Sequence, residues 1–154
     1  MFGASVAHAA ETTATASANI LEEVTVSNTS GLAFGTIVAD PDDAGTISVD
    51  TDGDRTCGDL VCSETASAAS FDVTGTTGET VTISVPADVT LTNDDGDEMT
   101  ADLTSSDSTL TLVDLSDPLE TGNNTFTVGG DLGVAADQAD GDYTGTFTVT
   151  VDYE

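Results

Sequence analysis

Lysine is absent from this chain, and arginine occurs once, at Arg55. Against that one cation stand 29 acidic residues, for a formal net charge of -28 at pH 7. Nucleic acid is thereby excluded as a partner, because neutralising phosphates takes clustered Lys and Arg. An anionic membrane surface is excluded for the same reason. A phosphate-cradling loop that ends in Lys is ruled out as well. The only histidine is His8, so a Ser or Cys nucleophile has no base partner in the body of the chain. Tryptophan is missing and tyrosine occurs twice. That leaves little aromatic surface to bind a sugar, although carboxylates for a glycosidase pair abound. No run reaches the roughly 18 apolar residues of a spanning helix. The expectation is a protein that is not an enzyme and has no membrane span.

What is present points to strands. Thr and Val are abundant, and both are β-branched residues that favour a pleated chain. The 154 residues suit one domain with a core of ordinary size. Acids gather in short turns, and the segments between them alternate apolar and polar residues, which argues against disorder. So acidic a chain suits a salty exterior, where a Debye length of roughly 3–8 Å damps self-repulsion. It also suits uptake of divalent cations.

Ala7-His8-Ala9 has the form of a leader cleavage signal, so residues 1–9 are expected to be a signal-peptide remnant of an exported protein. Cys57 and Cys62 are the only cysteines, and in an exported chain Cys-Gly-Asp-Leu-Val-Cys reads as a small disulfide loop. Structural zinc lacks the ligands it needs. Calcium has more shape: Asp50, Asp52 and Asp54 alternate around Gly53 and offer hard oxygen ligands. Asp-Gly is equally an ordinary turn dipeptide, and the complete calcium-loop pattern is absent. No resident cofactor is expected beyond this candidate Ca²⁺.

Strand patterns recur at residues 32–38, 45–49, 70–74, 79–86, 89–92, 99–103, 110–113 and 124–128, with a short one at 132–135. The last segment alternates best. Tyr143, Gly145, Phe147, Val149, Val151 and Tyr153 share one face; Thr144, Thr146, Thr148, Thr150 and Asp152 share the other. One apolar and one wet face fit an antiparallel sheet on a core. No amphipathic helix competes, and no internal repeat is visible. The expected fold is all-β, an antiparallel β-sandwich over residues 27–154.

Residues 10–26 behave differently. Ala14, Ala16, Ala18 and Ile20 lie on one face of a period-two pattern that breaks at Leu21-Glu22-Glu23 and resumes at Val24 and Val26. At about 25 cal/mol per Å² of buried apolar area, a few Ala methyls cannot hold such a strand by themselves. It is either a disordered tail or a strand whose backbone pairs with a sheet edge.

Several motifs occur in a telling order: Gly31-Leu32-Ala33-Phe34-Gly35-Thr36-Ile37, Phe71-Asp72-Val73-Thr74-Gly75, Val128-Gly129-Gly130-Asp131-Leu132, then Gly141-Asp142-Tyr143-Thr144-Gly145-Thr146-Phe147. With them the chain resembles the bacterial exported domain of unknown function 4402 family, some of whose members look like fimbrial subunits. The penultimate Tyr153, with Gly141 fourteenth from the end, is also similar to subunits of chaperone–usher pili. That resemblance implies an immunoglobulin-like sandwich completed by an N-terminal donor strand of a neighbour. Ala14, Ala16, Ala18, Ile20, Val24 and Val26 would be the donor face. Tyr143, Gly145, Phe147, Val149, Val151 and Tyr153 would be the acceptor wall. The implied partners are further copies in a head-to-tail homopolymer, a periplasmic chaperone and an outer-membrane usher; the implied location is the cell surface. The close spacing of Cys57 and Cys62 and the small donor side chains depart from typical pilins of that class. The alternative function is a monomeric, acidic, calcium-binding surface or matrix module.

Overall fold

The computed structural model describes residues 9–119 and 122–154, and among these there is no helix. The leader expected at residues 1–9 lies outside the described residues except for Ala9, which is exposed. The described strands are β1 (Thr25–Ser30), β2 (Thr36–Val38), β3 (Gly45–Val49), β4 (Arg55–Thr56), β5 (Val61–Ser63), β6 (Ala69–Thr74), β7 (Thr80–Ser84), β8 (Asp88–Thr92), β9 (Glu98–Ser105), β10 (Thr109–Thr111), β11 (Thr125–Val134) and β12 (Thr150–Tyr153). Every ladder between them is antiparallel. The chain is all-β, as its period-two patterning requires.

β11 organises the molecule. Its first half, Thr125 to Val128, pairs with β6; its second half, Gly130 to Val134, pairs with β3. β9 pairs with Val128 to Leu132. Val128 therefore has β6 on one side and β9 on the other, and Leu132 has β3 opposite β9. So β6 and β3 follow each other along one edge of β11, and β9 takes the other edge. β1 extends the sheet beyond β6, β4 beyond β3, and β8 beyond β9. β10, β7 and β12 form a second sheet, and β2 pairs with β5.

Residues 124–128 and 132–135, expected as separate strands, belong to one strand, β11, which runs through Gly129-Gly130-Asp131. A Cβ on Gly129 would strike the carbonyl oxygen of Val49, and one on Gly130 would lie 3.0 Å from that of Asp102. The glycines let two neighbouring backbones crowd β11 where it changes partners.

Alternation along the strands buries two apolar clusters. Phe34, Ile47, Val49, Leu60, Val89, Met99, Ala101, Leu132 and Val134 form one. Ala69, Phe71, Val73, Val81, Ile83, Leu112, Phe126, Val128 and Val151 form the other. Leu32, Leu103 and Phe147 pack against both. In the second cluster Phe71 stacks on Phe126 with ring centroids 5.0 Å apart. Such a pair contributes about 0.5–1.5 kcal/mol beyond the area it buries. No buried side-chain nitrogen or oxygen among the described residues lacks a hydrogen-bond partner. Cys57 and Cys62 form the expected disulfide, with Cα atoms 6.2 Å apart, between β4 and β5.

Candidate functional site

The C-terminal segment keeps its expected alternation but lacks a continuous ladder. Tyr143, Phe147 and Val149 are half-buried, Val151 is buried and Tyr153 is half-buried. Gly145 and the threonines between them are exposed. A Cβ on Gly145 would collide with the Thr90 carbonyl, so this glycine lets the segment press close to β8. Phe147 meets Phe71 edge-on, with centroids 6.3 Å apart. Regular pairing is confined to β12, where Thr150 to Tyr153 run against β7. Thr144 exchanges backbone hydrogen bonds of 3.1 and 2.9 Å with Thr92. Residues 145–149 join no ladder among the described residues. β12 itself ends its sheet, so its second edge also carries no ladder.

Beside this edge lies an open cleft of about 1130 Å³. Leu91, Met99, Leu132 and Val134, from β8, β9 and β11, give it an apolar floor. Residues 32–39 make one wall and residues 138–144 another. Of the strand expected at residues 32–38, only β2 is regular, because Gly35 adopts a φ of +78° and turns the chain. β2 pairs with β5 alone, so it too carries a ladder on only one edge. The opposite wall is braced by Tyr143, whose hydroxyl donates to the Ala139 carbonyl at 2.8 Å and accepts from Gln138 Nε2 at 2.9 Å.

The N-terminal extension divides in two. Val24 is half-buried against the second cluster. Val26 lies in β1, opposite Val73 of β6 in the same chain. Residues 9–20 are exposed throughout and belong to no strand. Ala14, Ala16 and Ala18 are exposed, and Ile20 is 91% exposed. The division falls at Glu22. Its N–H donates to Thr76 Oγ1 at 2.7 Å, and its carbonyl accepts from the Tyr153 hydroxyl at 2.9 Å. That hydroxyl also accepts from the Thr76 N–H at 2.7 Å. The free segment thus leaves the body beside the end of the C-terminal strand.

The acidic loop between β3 and β4 is built as a turn. Asp50 Oδ1 accepts from the N–H groups of Asp52, at 3.0 Å, and Asp54, at 2.9 Å. Asn93, between β8 and β9, does the same: its Oδ1 accepts from Asp95 at 3.1 Å and Asp97 at 2.8 Å. Both loops close with a bond from the first residue's N–H to the fifth residue's carbonyl, 3.0 Å in each, and both put Gly fourth with φ near +90°. A neutral Asn fills the role of Asp50, so the turn requires an oxygen acceptor and no charge. Among the described residues no three His, Cys, Asp or Glu side chains converge as a metal site, so Asp50, Asp52 and Asp54 are not brought together. Elsewhere, the Ser116 hydroxyl and N–H hold the exposed Asp114 carboxyl below the usual carboxylate range.

Sequence reasoning found the open edge as a strand face. It missed the cleft and the role of Arg55, whose Nη1 donates to the carbonyls of Phe34 at 2.8 Å and Ser63 at 3.0 Å. The lone basic residue was the only available signal.

A family model described as domain of unknown function (DUF4402) matches residues 24–153. The chain belongs to that family. The match begins at Val24, where the extension joins the folded body, and leaves out the exposed residues before it. No curated protein matches the chain. No solved structure matches it either.

Proposed function

We propose that this protein is a structural subunit of a bacterial extracellular filament that polymerises head-to-tail by donor-strand exchange. On this reading the fold is an immunoglobulin-like sandwich short of one strand, which residues 14–20 of a neighbouring copy supply. The observation that carries the proposal is a match within one chain. Residues 145–149 alternate like a sheet strand yet have no ladder, and residues 13–20 alternate like a strand yet are exposed and belong to no strand. Each segment has what the other lacks.

Completion in trans would be favourable. Main-chain pairing along the edge gives about 0.5–1.5 kcal/mol net per hydrogen bond. The small side chains of Ala14, Ala16 and Ala18 permit close approach to a shallow groove. Ile20 is the one bulky residue in the segment, and the apolar cleft lies at the Tyr143 end of the open edge. Seating Ile20 there runs the donor antiparallel to residues 143–149. The donor leaves its own body at Glu22 and enters a different copy, so the contact is heterologous and does not close; it propagates as a fibre. Export of the chain and docking to a periplasmic chaperone and an outer-membrane usher belong to the same proposal.

Electron microscopy of the full chain tests this. Fibres that survive mild detergent and fall apart on boiling are expected. Deleting residues 9–20, which leaves β1 and the Glu22 anchor in place, should abolish them. Fibres that persist in the deletion variant would overturn the proposal.

A further inference from the structure

The cleft wall formed by residues 32–39 is tied to the molecule at few points. β2 pairs only with β5, from Thr36 opposite Ser63 to Val38 opposite Val61. Ala33 and Ser67 exchange two backbone hydrogen bonds of 2.9 Å. Arg55 supplies another tie, with a single guanidinium nitrogen donating to Phe34 on the wall and to Ser63 on β5. Gly35 makes room for it: a Cβ there would collide with that nitrogen, and Gly35 stands at φ +78°. The disulfide adds support behind, because Cys62 lies opposite Ile37 and is bonded to Cys57 next to β4. In a chain with 29 acids, the only Lys or Arg side chain is turned toward two main-chain carbonyls at the cleft.

We infer that Arg55 is the positioning residue of the acceptor cleft, holding residues 34–35 against β5 so that the wall stands at the spacing an incoming strand requires. The inference rests on the donor-strand reading above. Residues 32–39 and residues 138–144 flank the apolar floor on which a donor's Ile20 would sit, and β2 carries a ladder on only one edge. A donor fits between the two walls only if their separation is fixed. With Arg55 removed, β2 still pairs with β5 and the clusters stay packed, but the wall is free to shift. Strand capture weakens while the fold remains. Lys replaces Arg only in part: its ammonium has donors for both carbonyls, but its flexible stem holds it there less firmly than the planar guanidinium is held.

The test is binding of a fluorescent synthetic peptide of residues 11–23 to the full chain, held below the concentration at which it polymerises and read by anisotropy. The unaltered protein should bind saturably. R55M should bind at least about tenfold more weakly, roughly 1.4 kcal/mol, and R55K should fall between. Both should melt within a few degrees of the parent. Labelled R55M should still be captured by the unaltered protein, because its own donor segment is intact. A merely structural role would not separate these two activities. R55M that is folded and binds the peptide as tightly as the parent overturns the inference and leaves the donor-strand reading standing. If R55M unfolds, R55K carries the test, and undiminished affinity there overturns it equally. A parent that binds no peptide removes the donor-strand reading and this inference together.

Discussion

Replacing Ile20 with alanine separates assembly from folding. Ile20 is 91% exposed in the single chain, so its loss should change monomer stability by no more than about 0.5 kcal/mol. For a domain of this size that is a shift of about 1–2 °C in Tm. In the assembly its side chain would sit over Leu91, Met99 and Leu132 of the neighbour's cleft. I20A removes a methylene and two methyls. At about 0.8 kcal/mol per buried carbon, full burial makes the loss about 2.4 kcal/mol, which is about a 50-fold rise in dissociation constant. Incomplete burial lowers this, and a rise of about 10- to 50-fold is expected. Sedimentation analysis gives the association constant, and calorimetry of the dilute monomer gives Tm. An unchanged association constant would refute Ile20 as the seated residue. A monomer Tm lowered by about 5 °C or more would show that Ile20 already packs within its own chain.

Three further outcomes follow from the same geometry. Tyr153→Phe removes the hydrogen bonds to Glu22 and from Thr76; it should cost about 1–3 kcal/mol by denaturant unfolding and speed amide exchange at residues 22–24. Asp50→Asn should leave Tm nearly unchanged, because Asn93 already builds the same turn, whereas Asn93→Ala, at a buried position, should cost about 1–3 kcal/mol; a large loss in Asp50→Asn would show that the charge matters. Copies that each carry a net charge of -28 repel one another, so turbidity or light scattering should show faster assembly at 1 M salt, where the Debye length is about 3 Å, than at 0.01 M; slower assembly would contradict this.

Local pattern exposed most of the strands and little of their pairing. The segments at residues 45–49 and 89–92 match β3 and β8 closely because alternation and flanking turns agree there. Alternation reports which face is apolar, not whether a partner exists. Residues 143–153 therefore read as one strand, although only Thr150 to Tyr153 join a ladder and Thr144 makes a single bridge to Thr92. The same limit hid β1. Val24 and Val26 resume the period of Ala14 to Ile20 after the break at Leu21-Glu22-Glu23, and the break alone does not say on which side of it pairing within the chain begins. Glu22 marks it, through Thr76 and Tyr153, 54 and 131 residues away. β11 was obscured by its glycines, whose reason is the approach of Val49 and Asp102 from distant strands. Arg55 gave no sign of its carbonyl partners, since Phe34 lies 21 residues earlier in a bent wall.

Hydrogen exchange on residues 9–20 and 145–149, before and after assembly, bears most directly on strand exchange. In the dilute monomer both sets of amides should exchange quickly, because neither belongs to a ladder. In the polymer both should become protected together, by about a hundredfold or more, as expected of amides in a formed sheet. Polymers in which residues 145–149 still exchange at the monomer rate would contradict donor-strand completion, whatever the fibres look like.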